Sequence, residues 1–341
     1  MIKKRPSMKD IAREANVSVA LVSYVLNGKE KESRVGKEVS LKIKRIAKEL
    51  NYEPNYLAKS LRSGKTQTLG LILADISNPF FANIARIVED EARHNGYTVV
   101  IGSSDESALK SSNLMDVLIN RQVDGFIIIS SEKSEKQISY LIDKNIPFVL
   151  LDRYFPELQT NQVSIDHYRS AFDAGKHLAD NGYRRIGFIA YQSKLHHMQE
   201  RVKGYTESLK DTGLAFNKKW LQKINIHHIE DEIKTAIDVM IAGDDRVDAI
   251  IFATYSLAVN GLKYIDKLGL KIPKDIAIVS FGQAEGFDLY YCPITYIWQP
   301  MDELGKNAVD ILIKKIRDPK QEIKQILLES KLMARESSER K

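Results

Sequence analysis

Ser7-Met8-Lys9-Asp10-Ile11-Ala12-Arg13-Glu14-Ala15-Asn16-Val17-Ser18, continued by Val19-Ala20-Leu21-Val22-Ser23-Tyr24-Val25-Leu26-Asn27-Gly28, governs how the rest of the chain is read. The first half reads as a short helix and a tight turn, the second as another short helix that stops at Asn27-Gly28. Ser7 and Asp10 have capping-box spacing, with Asp in place of the usual Glu, and Ser18 is the natural N-cap of the second helix. Ile11, Ala12, Ala15, Val17, Val22, Val25 and Leu26 offer small apolar faces that pack across a three-residue turn. That is a helix-turn-helix pattern. Taken alone, it also describes an ordinary pair of surface helices.

Charge separates the two readings. Residues 1–65 hold sixteen Lys and Arg against seven Asp and Glu, a net +9. The whole chain is +6, so everything after residue 65 sums to −3. The positive excess lies entirely on the head and implies a polyanion as partner, since phosphate contacts drive affinity for nucleic acid.

At 341 residues the chain has room for a head plus a large core or two lobes. Its one cysteine, Cys292 beside Pro293, reads as a small packed residue, allows no internal disulfide and suits a reducing compartment. Met1-Ile2-Lys3-Lys4-Arg5-Pro6 is basic with no apolar run behind it, so no export signal is expected. No apolar stretch approaches the roughly 18 residues of a membrane span. The cytoplasm is the expected location.

A third helix is predicted from Lys37 to Leu50, with Val39, Ile43, Ile46, Ala47 and Leu50 on its apolar face. Pro54 then disfavours helix at Glu53, and Tyr56 to Arg62 has room for two turns only. A helix that short folds when DNA or a second copy supports it. From Thr68 the texture changes to short apolar strands, at 69–74, 97–102, 125–130, 147–151, 163–165, 185–190, 249–253, 277–281 and 294–297. Helical patterns lie between them at 80–95, 109–119, 170–180, 200–211, 233–241, 257–268 and 301–316, with a final strand at 327–333. Buried strands alternating with helices imply parallel sheets. About nine strands are too many for one comfortable sheet, so two Rossmann-like lobes are expected, with ligand at the strand C-termini between them.

Catalytic signatures are missing: there is no GxxxxGK[ST], no GxGxxG after a strand, no HExxH and no GxSxG. His196-His197 and His227-His228 are adjacent pairs, and helix neighbours do not share a face, so solvated or packed histidines are expected rather than a metal site. No catalytic residue, metal or cofactor is expected. The carboxylate-rich stretches 89–91 and 230–232 read as solvated helix faces. A solute-binding protein of the two-lobed sugar-binding type is the rival reading, but it calls for an export signal and has no use for a basic head.

Over essentially its full length the chain resembles the lactose/galactose repressor family of bacterial transcription regulators. The matching stretches include Asp10-Ile11-Ala12, Ala15-Asn16-Val17-Ser18, Val25-Leu26-Asn27, Leu50-Asn51-Tyr52-Glu53-Pro54-Asn55 and Leu57-Ala58-Lys59-Ser60-Leu61-Arg62-Ser63-Gly64. Asp75-Ile76-Ser77-Asn78-Pro79-Phe80-Phe81, Asp152-Arg153, Arg201-Val202-Lys203-Gly204-Tyr205 and Ile272-Pro273-Lys274-Asp275-Ile276 follow in the family's order. The resemblance implies a helix-turn-helix head at 1–54, a hinge at 55–66 and a two-lobed, periplasmic-binding-protein-like α/β effector domain at 67–341. Lobe 1 would comprise about 67–165 plus 298–325, and lobe 2 about 166–297 plus 326–338.

It also implies a homodimer on double-stranded operator DNA, acting as a regulator and most simply as a repressor. Val19, Ala20, Ser23 and Tyr24 stand at base-facing positions, while Asn27, Arg34, Tyr52 and Asn55 match positions that hold the backbone. Ser7, Met8, Ser18, Leu21 and Ala58 complete the candidate contacts, and Leu61 matches a wedge inserted in the minor groove at the operator centre. Two departures imply an operator of its own. Tyr24 replaces an Arg that reads guanine in many members, and Gly36-Lys37-Glu38-Val39-Ser40 replaces a Ser-x-x-Thr-Arg start that would cap the third helix. Ala334 to Lys341 is too short and polar for the apolar heptads that make some members tetramers, so a dimer is expected.

For the effector, the resemblance points to Asn78, Phe80, Phe81, Asp152, Arg153 and Arg201. Thr254-Tyr255 and Gly282-Gln283 stand where the family usually has Asn-Asp and Asp-Asp. With those carboxylates gone, Arg153 and Arg201 are expected to lack negative company. That favours a sugar acid or sugar phosphate over a neutral sugar. Whether the effector induces or co-represses stays open.

Overall fold

Asn16 makes the first sharp turn: its φ of 56° is left-handed, a conformation that Asn adopts more readily than most residues, and it ends α1 (Met8–Ala15). The Asp10 carboxylate accepts from the Ser7 N–H at 2.9 Å and from its hydroxyl at 2.7 Å. Ser18 Oγ accepts from the Leu21 N–H at 3.2 Å and so opens α2 (Val19–Leu26). Ile11, Ala12, Ala15, Val22 and Val25 pack against Ile43, Ile46 and Ala47 of α3 (Lys37–Glu49). That helix starts at Gly36 without a side-chain cap. The computed structural model describes residues 6–30, 32–52, 64–283 and 285–340. The predicted hinge helix, with Asn55, Ala58 and Leu61, lies outside the described residues.

The chain divides into two units, Met1–Thr66 and Gln67–Lys341. Within the second, two six-stranded sheets form. The first comprises β1 (Thr68–Leu73), β2 (Thr98–Ser103), β3 (Gly125–Ile128), β4 (Phe148–Leu151), β5 (Gln162–Ile165) and β11 (Gln325–Leu328), in the spatial order β11-β5-β4-β3-β1-β2. The second comprises β6 (Ile186–Tyr191), β7 (Leu221–Ile224), β8 (Ala249–Phe252), β9 (Ala277–Phe281), β10 (Thr295–Trp298) and β12 (Lys331–Met333), in the order β12-β10-β9-β8-β6-β7. Every pairing is parallel except that of β10 with β12.

Helices pack on these sheets: α4 (Pro79–His94), α5 (Ala108–Asn120), α6 (Glu135–Asp143), α7 (His167–Asp180), α8 (His196–Asp211), α9 (Ile229–Ile241), α10 (Tyr255–Lys267), α11 (Glu285–Leu289) and α12 (Met301–Arg317). Among the described residues no helix is long and apolar enough to cross a membrane.

Three differences from the sequence expectation have physical causes. β7, α6 and the five-residue α11 are additional elements. β7 is an edge strand with one buried residue, Ile224, and α6 buries only Ile138 and Leu141, so neither carries a strong apolar rhythm. The single final strand expected at 327–333 is two strands, one per sheet, so the last crossing between lobes falls at 329–330 rather than at 325–326. Finally, α7 and α8 each begin three to four residues before the expected starts at 170 and 200, which brings His167 and His197 into helices.

α7 and α8 approach closely because Gly204 has no side chain. A Cβ there would stand 2.1 Å from the Tyr168 carbonyl oxygen and 3.0 Å from Ala171 Cβ. In an open helix Gly→Ala stabilises by up to about 1 kcal/mol. Here the obstacle is backbone, so the sign reverses. Gly204→Ala is expected to destabilise by about 1–3 kcal/mol, as overpacked cores do. Thermal unfolding checks it, and a variant as stable as the parent contradicts it.

Candidate effector cleft and nucleic-acid interface

Where the strands of both sheets end, their following loops converge on a cavity of about 300 Å³. Asp75 to Phe81 follow β1, Glu106 follows β2 and Asp152-Arg153 follow β4. From the second sheet come Tyr191 at the end of β6, Thr254-Tyr255 after β8, Gly282-Gln283 after β9 and Gln299 after β10. This is the crevice outside the carboxyl ends of parallel strands, where α/β folds bind ligands. All ten sequence candidates, Asn78, Phe80, Phe81, Asp152, Arg153, Arg201, Thr254, Tyr255, Gly282 and Gln283, line it.

Local capping positions several of them. Asn78 Oδ1 accepts from the Phe80 N–H at 3.0 Å and Pro79 opens α4, which sets Phe80 and Phe81 edge to face with centroids 5.2 Å apart. Thr254 Oγ1 caps α10 through the Leu257 N–H at 3.3 Å. Asp152 holds a left-handed φ of 65°, and Gly282 one of 82°. A non-glycine residue held there is a mark of functional sites, although Asp tolerates it better than most.

Arg153 overturns one expectation. Its guanidinium forms a bidentate pair with Glu106, Nη1 to Oε2 at 2.7 Å and Nη2 to Oε1 at 2.8 Å, and lies 5.2 Å from the Phe81 ring centroid. It does not lack negative company. Asp75, Asp105, Glu106 and Asp152 also line the cavity; Asp105 is paired with Lys110 and Glu106 with Arg153, so the guanidiniums are not an unbalanced positive charge that calls for an anionic ligand. The carboxylates that the resemblance placed after β8 and β9 are replaced by carboxylates after β1, β2 and β4. Glu106 follows a predicted strand as other pocket residues do, but nothing local in the sequence marks it as the partner of Arg153.

Arg201, in α8, is buried and held from three sides. Its Nε and Nη2 donate to His167 Nδ1 at 3.3 and 3.2 Å, Nη1 donates to the Ala253 carbonyl, and the Phe281 ring centroid lies 4.3 Å away. Burial lowers its pKa to about 10, so it stays charged at neutral pH. Because Arg only donates, His167 Nδ1 must carry the lone pair and Nε2 the proton. Nε2 then donates toward Ser164 Oγ at 3.2 Å and the Asp152 carbonyl at 3.3 Å.

His197 lies on the cavity face because it stands four residues before Arg201 on one helix, the spacing that shares a face. In the sequence, the adjacent pair His196-His197 hides this spacing. Its ring meets that of His167 edge to face, with centroids 5.5 Å apart.

Burial first, and then the nearby guanidiniums of Arg201 and Arg153, holds both histidines well below their ordinary pKa. Both imidazoles are therefore neutral when folded. The unfolded chain takes up these protons below about pH 6.5 and the folded chain does not. Stability is thus full above that value and falls as pH drops toward the folded pKa values. Asp152, raised by burial, acts in the opposite sense. The double variant His167→Gln/His197→Gln is expected to lose less stability than the parent between pH 7.5 and 5.5. Equal losses in thermal unfolding contradict this.

Four buried polar atoms of residues lining the cavity have no hydrogen-bond partner: Asp152 Oδ1, Arg153 Nε, His197 Nδ1 and Gln299 Oε1, although Arg153 Nε lies 3.9 Å from Asp152 Oδ2. Leaving such atoms unpaired is costly, so their convergence marks a place built for a ligand with several hydroxyls.

On the head, Val19, Ala20 and Tyr24 are exposed on α2, with Tyr24 43% accessible, and Leu21 and Ser23 are half-buried. Ser7, Ser18, Asn27 and Arg34 are exposed and Met8 and Tyr52 are partly packed on the head's core. Asn27 Nδ2 donates to the Ser23 carbonyl at 2.7 Å and to its hydroxyl at 3.2 Å, so these two candidates brace each other at the end of α2.

Comparison with known proteins agrees with both halves. Residues 7–55 match the model of bacterial regulatory proteins, lacI family, and residues 66–336 match that of periplasmic binding proteins and sugar binding domain of LacI family. The ribose operon repressor of Haemophilus influenzae is 32% identical over 332 residues, 97% of this chain and 98% of that protein. Catabolite control protein A of Priestia megaterium is 31% identical over 307 residues, 89% of this chain and 91% of that protein. In fold, the chain is similar to the lac repressor dimer bound to operator, with a TM-score of 0.86 at 21% identity over 99% of this chain and 100% of that one.

Proposed function

This chain belongs to the lacI family of bacterial regulatory proteins, and from that premise we propose a transcriptional repressor whose operator affinity is set by a neutral sugar in the inter-lobe cleft. The observation that carries the effector class is a cavity lining that holds four buried polar atoms without hydrogen-bond partners, mixed donors and acceptors, and guanidiniums already balanced by carboxylates. Hydroxyls donate and accept, and so match such a set without bringing charge. Arg201 grips the sugar through its free N–H groups, and Phe80 and Phe81 supply an apolar wall. The protein performs no covalent chemistry and works in the cytoplasm.

It reads DNA as a homodimer. The edge strand β2 leaves Val100 and Ile101 exposed, and α5, which follows it, exposes Val117 and Leu109, the latter 73% accessible. An uncovered apolar edge is an association surface, and a second copy covers it. Closure of the lobes around sugar alters the spacing of the two hinges, with Leu61 as the operator wedge. Such coupling is typically about 1–3 kcal/mol.

A thermal-shift panel of ribose, glucose, galactose, their uronic acids and their phosphates tests the effector class on the full chain. Stabilisation by neutral sugars is expected. Stabilisation by the charged compounds alone contradicts the reading.

A further inference from the structure

We infer that the effector has two sugar rings, the second occupying a separate cavity that adjoins the cleft against Trp298 and Tyr255. The inference rests on the sugar reading above and extends it.

That second cavity, about 790 Å³ and more open, shares Pro79, Asn83, Tyr255, Gln283, Gln299 and Met301 with the first, so the two adjoin. Gln299 stands in their common wall. It is 7% exposed, and its Oε1 is buried without a partner. A hydroxyl of a ligand that passes from the first cavity into the second would reach it.

The lining suits a sugar ring. A pyranose presents a face of weakly positive C–H bonds, which complements the negative face of an aromatic ring, and its rim of hydroxyls needs short polar groups such as those of Ser77 and Asn83. Lys331 Nζ lies 5.8 Å from the Trp298 ring centroid, so at most one indole face is open to a ligand. Charge disfavours a phosphate here. Arg86 is held to Asp90 at 3.1 Å, and Asp302 also lines the space.

Isothermal titration of the full chain with glucose against maltose and cellobiose, galactose against lactose, and xylose against xylobiose tests this. At least one disaccharide is expected to bind tenfold or more tightly than its component monosaccharides. Trp298 ends β10 and pairs with Lys331, so its removal risks the sheet. Ala82→Trp is the cleaner probe. Ala82 is exposed on α4 and lines only the second cavity. This substitution should abolish the disaccharide's advantage, spare monosaccharide binding and leave Tm unchanged. Monosaccharides that bind as tightly as every disaccharide, or a disaccharide advantage that survives Ala82→Trp, overturn the two-ring inference while the sugar reading stands. Failure of every sugar to bind overturns the sugar reading itself.

Discussion

Raising the salt from 50 to 200 mM is expected to weaken operator binding by roughly a thousandfold or more, the loss associated with about six or more phosphate contacts. The head carries +9, and a dimer presents two heads. Not every cation is available. Lys44 is held to Glu30 at 2.7 Å, and Arg45 lies 3.6 Å from Glu49. Exposed ion pairs of this kind are weak, about 0–1 kcal/mol, so phosphate competes with them readily. Tyr24 adds contact without charge and leaves the salt slope to the lysines and arginines. Titrations at several salt concentrations give the slope of log affinity against log salt, and a flat slope contradicts nucleic-acid recognition by this head.

Arg201→Ala is expected to remove the effector response. Two hydrogen bonds from a charged donor contribute about 1.5–3 kcal/mol each, so effector affinity should fall by roughly a hundredfold to ten thousandfold. The same change strips His167 Nδ1 and the Ala253 carbonyl of their donor and lowers body stability as well. DNA binding without effector separates the two effects, because the head has a core of its own. The variant should still bind operator and no longer respond to sugar. Arg201→Lys should not restore the response, since an ammonium cannot reproduce the planar fork. An effector affinity equal to the parent's contradicts the assignment.

Much of this was legible in the sequence for reasons that can be named. The head was readable because its signals are local: Ser18 caps, Asn16 turns, and the apolar residues recur within one or two helical turns. The two sheets were readable because buried parallel strands are continuous apolar runs. Glu106 was harder to read, since its meaning depends on Arg153, which is 47 residues away in the chain and adjacent only after folding. His197 depended on where α8 starts, and helix starts are poorly marked when, as at Leu195, no capping side chain is present. β7 escaped because an edge strand buries little, and the crossing at 329–330 because two short strands in succession look like one.

Operator affinity measured with and without sugar on one full-length preparation tests the central claim most directly. A duplex selected by the protein from a random library, labelled and titrated, gives the affinity, and the sugar that stabilises the body is then added. The expected site is near-palindromic, with half-sites spaced for a dimer, and the sugar should shift its affinity about five- to 150-fold in one direction. Failure to enrich any sequence, or an affinity that the bound sugar leaves unchanged, would contradict a sugar-controlled DNA-binding regulator.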